Sequence, residues 1–340
     1  MGIESKELRG DVEAGIHRKD YHSRRHAISR RINEIADDPK ACRNGLFALV
    51  GDGVHNYQPP KMAQLYTVHA VCDGGIEIPI LHAVTAKKTV ATYEKIFSHL
   101  RPHLQSHGIP ERRLRIILDF EKAALRAAHK VFPDAKVEGC GFHLAQAWTR
   151  RRNFLGLTAF TQGLGKDPAV ADWWNIIKGV PFLPVRLRGQ VRALTTPPVP
   201  REHPAHKRCK EFLAYLHDTW LTGTYKNLWC KFGIYVLRTT NTAEAYHRKL
   251  KETFKCAHPP FATLIKALRR IDLQARCTLV HKDKNPNAEK RLRARDRRRR
   301  VKVERCMRRF NARYQTQGAT NLDVERYCKK MARFVSNKAI

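Results

Sequence analysis

Three carboxylates and one Cys-x-x-His pair are the residues of this sequence best placed to do chemistry. Asp119 ends a short apolar run of Leu114, Ile116, Ile117 and Leu118. Asp52 follows another, in FALVGDG at 47–53, and Glu244 stands in the first turn of a helix expected from Asn241. Mg²⁺ and Mn²⁺ prefer hard oxygen ligands, so acids at strand ends suit phosphoryl transfer, where two ions serve the attacking and leaving oxygens. Each acid also has a plain structural reading. Asp52-Gly53 fits a turn, Asp119 fits the N-cap of a helix over 121–131, and Asn241 to Glu244 has capping-box spacing. Cys140 and His143 open the next helix. A closed zinc site needs four ligands. His129, Cys209 and Cys230 are the available candidates, with no clear second pair, so zinc is less expected than a local role supporting the site.

A sheet must bring such acids together. FALVGDG, QLYTVHAVCDG (64–74) and IEIPILHAVT (76–85) alternate or run apolar like strands. Gly74-Gly75 suits a hairpin turn between the second and third. Residues 89–105 predict a helix with Tyr93, Ile96, Phe97 and Leu100 on one face. Then come a strand over 114–119, a helix over 121–131, a strand over 135–139 and a helix from about 143. That order predicts an α/β fold, a mixed sheet flanked by helices. Past residue 140 no convincing strand follows. Pro-rich TTPPVP (195–200) separates helical pieces at 168–178 and 205–221, where Trp173, Trp174, Trp220 and Trp229 either pack helices or stack on bases. Three more helices are expected: one from Asn241, one over 260–277 with a Phe261, Leu264, Ile265, Leu268, Ile271 stripe, and one over about 285–313. The chain thus divides into a polar arm (1–45), a first core part (46–156), a helical insertion (157–238), a core helix carrying Glu244 (239–256) and a basic helical C-terminal region (257–340).

Charge narrows the partners. The 340 residues hold 65 Lys and Arg against 31 Asp and Glu, a net +34, which favours a polyanion, most simply nucleic acid. Residues 281–340 carry 20 basic and 6 acidic side chains, and 1–45 carry 10 and 8. The densest run gives Arg291, Arg293, Arg295, Arg297, Arg298, Arg299, Arg300 and Lys302 as contacts to a DNA backbone, and it also suits a nuclear import signal. If helical, it places Val303, Met307, Phe310 and Tyr314 on one docking stripe. No apolar run is long enough for a membrane span. Nine Cys without a Cys-x-x-Cys pair, and no secretory leader, point to reduced thiols inside the cell.

Taken together, Asp52-Gly53-Val54, Gln64-Leu-Tyr-Thr-Val-His69, Ile116-Ile-Leu-Asp119-Phe-Glu121, Phe132-Pro133, Cys140-Gly-Phe-His143 and Thr239-Thr-Asn-Thr-Ala-Glu244 resemble the Mutator-like element (MULE) transposase domain. The resemblance covers about residues 45–255. It implies a ribonuclease H-like core with a helical insertion before the last acid, and an Asp-Asp-Glu triad at Asp52, Asp119 and Glu244. Those three would bind a Mg²⁺ or Mn²⁺ pair, with Cys140 and His143 as the motif's Cys and His. It also implies DNA end cleavage and strand transfer, with transposon ends and target DNA as partners, a nuclear location and a possible homodimer. Val54 stands where the family often has Thr. Asp52 lies too close to Met1 for the separate DNA-binding module usual ahead of the core, so a truncated copy is one expectation. The alternatives are a domesticated DNA-binding derivative that no longer cuts, and a ribonuclease H-like nuclease acting on other nucleic acids.

Overall fold

The computed structural model describes residues 46–106, 108–236, 241–254, 256–285 and 287–335, with the backbone alone for 241–244 and 283. The polar arm lies outside the described residues. The chain divides into two compact units, Met1–Glu138 with Thr240–Lys290, and Gly139–Thr239 with Arg291–Ile340.

The first unit is built on one five-stranded sheet in the order β3-β2-β1-β4-β5. β1 (Ala48–Val54), β2 (Gln64–Cys72) and β3 (Ile76–Thr85) form an antiparallel meander, and β4 (Arg115–Leu118) joins β1 in parallel. β5 (Lys136–Gly139) completes the far edge. The order and the antiparallel-then-parallel pairing are consistent with the expected ribonuclease H-like layout. The β2–β3 turn needs glycine: Gly74 and Gly75 sit at φ 78° and 74°, where a side chain would be strained. β1 is the middle strand, and all but one of its residues are buried.

Helices cover both faces. α1 (Val90–Ser106) buries the stripe expected of it, Tyr93, Ile96, Phe97 and Leu100, with Leu104 added. Its aromatics meet Tyr66 of β2 edge to face, with centroids 5.1 Å (Tyr93) and 6.4 Å (Phe97) away. α2 (Lys122–Val131) packs beside α1, and Phe132 after it meets Phe97 at 6.2 Å. α6 (Asn241–Thr253) and α7 (Phe261–Lys284) cover the opposite face, where Val54 and Leu65 pack with Tyr246, Leu250, Phe254 and Leu268. α7 runs to Lys284, past the expected end at 277, and stops before Asn285-Pro286, where the residue preceding proline resists helix.

The second unit is helical. α3 (Gly141–Phe154), α4 (Pro168–Gly179) and α5 (His206–Tyr215) precede α8 (Ala294–Gln317) and α9 (Asn321–Ala332). The tryptophans are core, which decides between the two roles open to them. Trp173, Trp174, Trp220 and Trp229 are all nearly fully buried. Trp173 donates to the Ala193 carbonyl at 2.9 Å and Trp229 to that of Trp220 at 2.7 Å. α8 starts later than the expected 285. Its stripe docks as expected: Val303 and Met307 are fully buried, and Phe310 stacks on Tyr327 of α9 at 3.9 Å. α9 was not anticipated. Its signal was present, since Thr320 and Asp323 form a capping box.

Candidate functional site

β1 and β4 set the spacing of the first two acids. Their parallel ladder pairs Ala48 with Arg115, Leu49 with Ile116 and Val50 with Ile117. Two residues further along each strand stand Asp52 and Asp119. The period of two puts both on one face, on neighbouring strands about 4.8 Å apart. Asp119 is the first residue past the carboxyl end of β4, where open α/β sheets place their ligand-binding groups.

Neither acid performs the plain structural task open to it. Asp52 does not form a turn. It lies inside β1, paired across β2 with Thr67, and its Oδ1 accepts the Gly53 N–H at 2.8 Å. At 5% exposed it is a carboxylate buried in the central strand, which costs free energy unless cations or donors meet it. Asp119 does not cap α2. Glu121 occupies that position, and Asp119 Oδ1 makes a longer turn contact to the Glu121 N–H at 3.4 Å.

Glu244 belongs to α6, as expected from the sequence, but its side chain lies outside the described residues. One turn later in the same helix, His247 brings Nε2 to 4.0 Å from Asp52 Oδ2. The helix assigned to the third acid therefore reaches the first. Asp52 and Asp119 both lie close enough to Tyr66 to act on its phenol, and the backbone of residue 244 stands one turn before His247, which faces Asp52.

Reasoning from sequence missed several neighbours. Asp52, Thr67 and His82 form a row across β1, β2 and β3. His82 Nδ1 lies 3.2 Å from Thr67 Oγ1 and 3.4 Å from the Tyr246 hydroxyl, and its Nε2 lies 3.8 Å from Asp272 of α7. This buried polar row ties α6 and α7 to the strand that carries Asp52. It could be found only once the register was known. On the other side Glu121 accepts from the Tyr93 hydroxyl at 2.8 Å, pairs with Lys88 at 2.9 Å, and is linked through Tyr93 to Gln64.

Tyr66 reports on the field of the site. Its phenol is held well above its usual pKa, first by burial, then by electrostatic interaction with Asp119, Tyr93, Asp52 and Glu121. The hydroxyl rests against Gly51. A Cβ at Gly51 would lie 2.3 Å from the Tyr66 oxygen and 2.8 Å from Leu118 Cδ2. Gly51→Ala is therefore expected to cost about 1–3 kcal/mol, because a fully buried ring cannot swing aside. Urea unfolding checks this; an unchanged midpoint would show that the ring does yield.

Cys140 is fully buried, and its carbonyl receives the Leu144 N–H at 3.0 Å as α3 begins. His143 follows in the first turn, beside the Phe142 ring at 5.5 Å. Among the described residues no cluster of three or more His, Cys, Asp or Glu side chains is arranged to hold a metal ion. That set excludes Glu244. The Asp52 and Asp119 pair offers hard oxygen donors on one face, which fits Mg²⁺ or Mn²⁺ with a third carboxylate added.

Of the basic residues expected to meet DNA, Arg291 and Arg293 precede α8 and the others lie in its first turns. All are exposed except half-buried Arg300, and Arg299 donates to the Phe334 carbonyl. No helix among the described residues is long and apolar enough to cross a membrane.

Residues 48–147 match the family model of the MULE transposase domain. The match begins with β1 and ends within α3, so it includes Asp52, Asp119, Cys140 and His143 and stops short of Glu244. No curated protein matches the chain. The match supports a transposase-related function, with the interaction with DNA that such a domain implies.

Proposed function

We propose that this chain supplies the catalytic region of a cut-and-paste DNA transposase, cleaving DNA ends and joining the freed 3′-hydroxyl to target DNA. The observation that carries this reading is the parallel pairing of β1, which holds Asp52, with β4, which ends just before Asp119, both inside the matched segment. Asp52, Asp119 and Glu244 would hold Mg²⁺ or Mn²⁺. Bound there, the ions would activate the attacking oxygen and neutralise the leaving one.

The chain's own work is placement. β1 fixes Asp52 and the end of β4 positions Asp119, while the His82 contacts to Tyr246 and Asp272 hold α6 and α7 to β3 and His247 brings α6 to Asp52. Exposed arginines at the start of α8 would neutralise backbone phosphates without reading sequence. The same basic run would serve nuclear import, and two DNA ends held together would call for a homodimer.

Strand transfer of labelled, pre-cut oligonucleotide ends into a plasmid tests the reading, with Mg²⁺ or Mn²⁺ supplied. Joined product is expected from the natural sequence and none from Asp119→Ala. Tight DNA binding with no product from either protein would overturn the enzymatic reading and leave a DNA-binding derivative that does not cut.

A further inference from the structure

The second unit holds a cleft that the catalytic reading does not use. It lies between the C-terminal half of α8 and α9 and encloses about 290 Å³. Phe310, Tyr314 and Tyr327 line it as an aromatic wall. Tyr327 is anchored, since its hydroxyl donates to the Phe182 carbonyl at 2.9 Å and its ring stacks on Phe310 at 3.9 Å. Tyr314 lies nearly parallel to Phe310, at 17° and 6.5 Å, with the Arg186 guanidinium over its ring. The wall is thus fixed by packing before any ligand arrives.

The lining is cationic. Arg309, Arg313, Arg326 and Lys330 surround the aromatics, against a single acid, Asp323. That acid is committed: it accepts from the Thr320 hydroxyl at 2.8 Å and pairs with Arg313 at 3.2 Å. Arg309, Arg326 and Lys330 enter no salt bridge among the described residues. An unspent positive triad beside flat, half-buried rings complements a ligand that is both anionic and aromatic. A duplex offers its phosphates but keeps its bases stacked inside; an unpaired strand offers both.

We infer that the α8–α9 cleft binds single-stranded DNA, with an unpaired base against Phe310 and Tyr314 and the flanking phosphates on Arg309, Arg326 and Lys330. The proposal does not depend on Asp52 and Asp119, and it stands whether or not they cleave DNA.

The test uses the full chain, a short single strand carrying one 2-aminopurine, and a duplex of the same length. The natural sequence should bind the single strand more tightly than the duplex and quench the 2-aminopurine as it stacks. Arg309→Glu with Lys330→Glu should weaken single-strand binding by about 10-fold or more and reduce the salt slope by roughly 1.4, the share of two phosphates. Tyr314→Ala should lose the quench. Lys207→Glu with Lys210→Glu, an equal charge change on exposed positions of α5, controls for net charge. Equal losses from the two double variants would overturn the site, as would duplex binding of equal strength without quenching. Either result would leave the cleft as part of a diffusely basic surface.

Discussion

Asp52→Asn is expected to abolish Mn²⁺-dependent strand transfer while leaving the fold intact. The side chain keeps its shape and can still accept the Gly53 N–H through Oδ1, so β1 loses no contact that its pairing needs. What disappears is a negative charge, 5% exposed, on the face shared with Asp119. Two neighbouring carboxylates repel until a cation neutralises them, and that repulsion is the driving force for metal binding. The loss of rate should be on the order of 10²–10³-fold or more, the scale seen when one group that stabilises transition-state charge is removed. Stability offers a readout independent of catalysis. The natural sequence should gain stability as Mn²⁺ is added, about 2.7 kcal/mol at a hundred times Kd, read as a rise in melting temperature. Asp52→Asn should start at an equal or higher melting temperature without metal and gain little from it. A natural protein indifferent to Mn²⁺ and Mg²⁺ would sink the metal site directly, whatever the DNA assay gives.

Gly179→Ala is expected to be the most destabilising small substitution in the helical unit. Gly179 ends α4 where α9 crosses it. A Cβ there would lie 1.8 Å from the Cys328 carbonyl oxygen, 2.5 Å from its carbon and 2.8 Å from its Cα. These are backbone atoms in the middle of a helix, so no side chain can turn away, and α9 itself must shift. Movement of α9 would strain the Phe310–Tyr327 stack and the Tyr327 hydrogen bond to Phe182. The cost should reach about 3 kcal/mol, the upper end for inserting one methyl into a packed interior, and lower the melting temperature by roughly 5–10 °C. Cys328 gives a local check. Its thiol is fully buried, with a pKa pushed up to about 12 by burial and then by Glu325, so it should resist thiol reagents at pH 8 in the natural protein. In the variant it should become reactive. An unchanged melting temperature and an unreactive Cys328 would overturn the close α4–α9 contact at Gly179.

Much of the sheet unit could be read from residue order. The alternation in 64–72 and 76–85, the paired glycines at 74 and 75, and the 3.6-residue stripe of α1 each have one favourable local solution, and each formed within a residue or two of its expected bounds. The apolar stripe of α8 was equally legible. α9 was overlooked despite its Thr320–Asp323 box, because its apolar positions are sparse and follow a long charged helix. The start of α8 was placed too early for a related reason: a run of arginines favours helix by propensity, but nothing in its side chains fixes where the first turn begins.

Within the candidate site, sequence alone marked Asp52 and Asp119 as acids at strand-like runs and left each with a competing structural task. Residue type and local pattern can go no further, because a carboxylate beside a glycine or before a helix looks the same whether it caps, turns or binds. The tertiary structure removed those alternatives. Strand pairing put Asp52 inside β1, and the parallel register of β1 with β4 runs to two residues before Asp52 and Asp119 alike. The approach of His247, the Asp52–Thr67–His82 row and its tie to Asp272 depend on contacts between residues 15 to 195 positions apart in the chain. No local pattern encodes such contacts. They come from which strand pairs with which, and from the helices that must then cover the apolar faces left open.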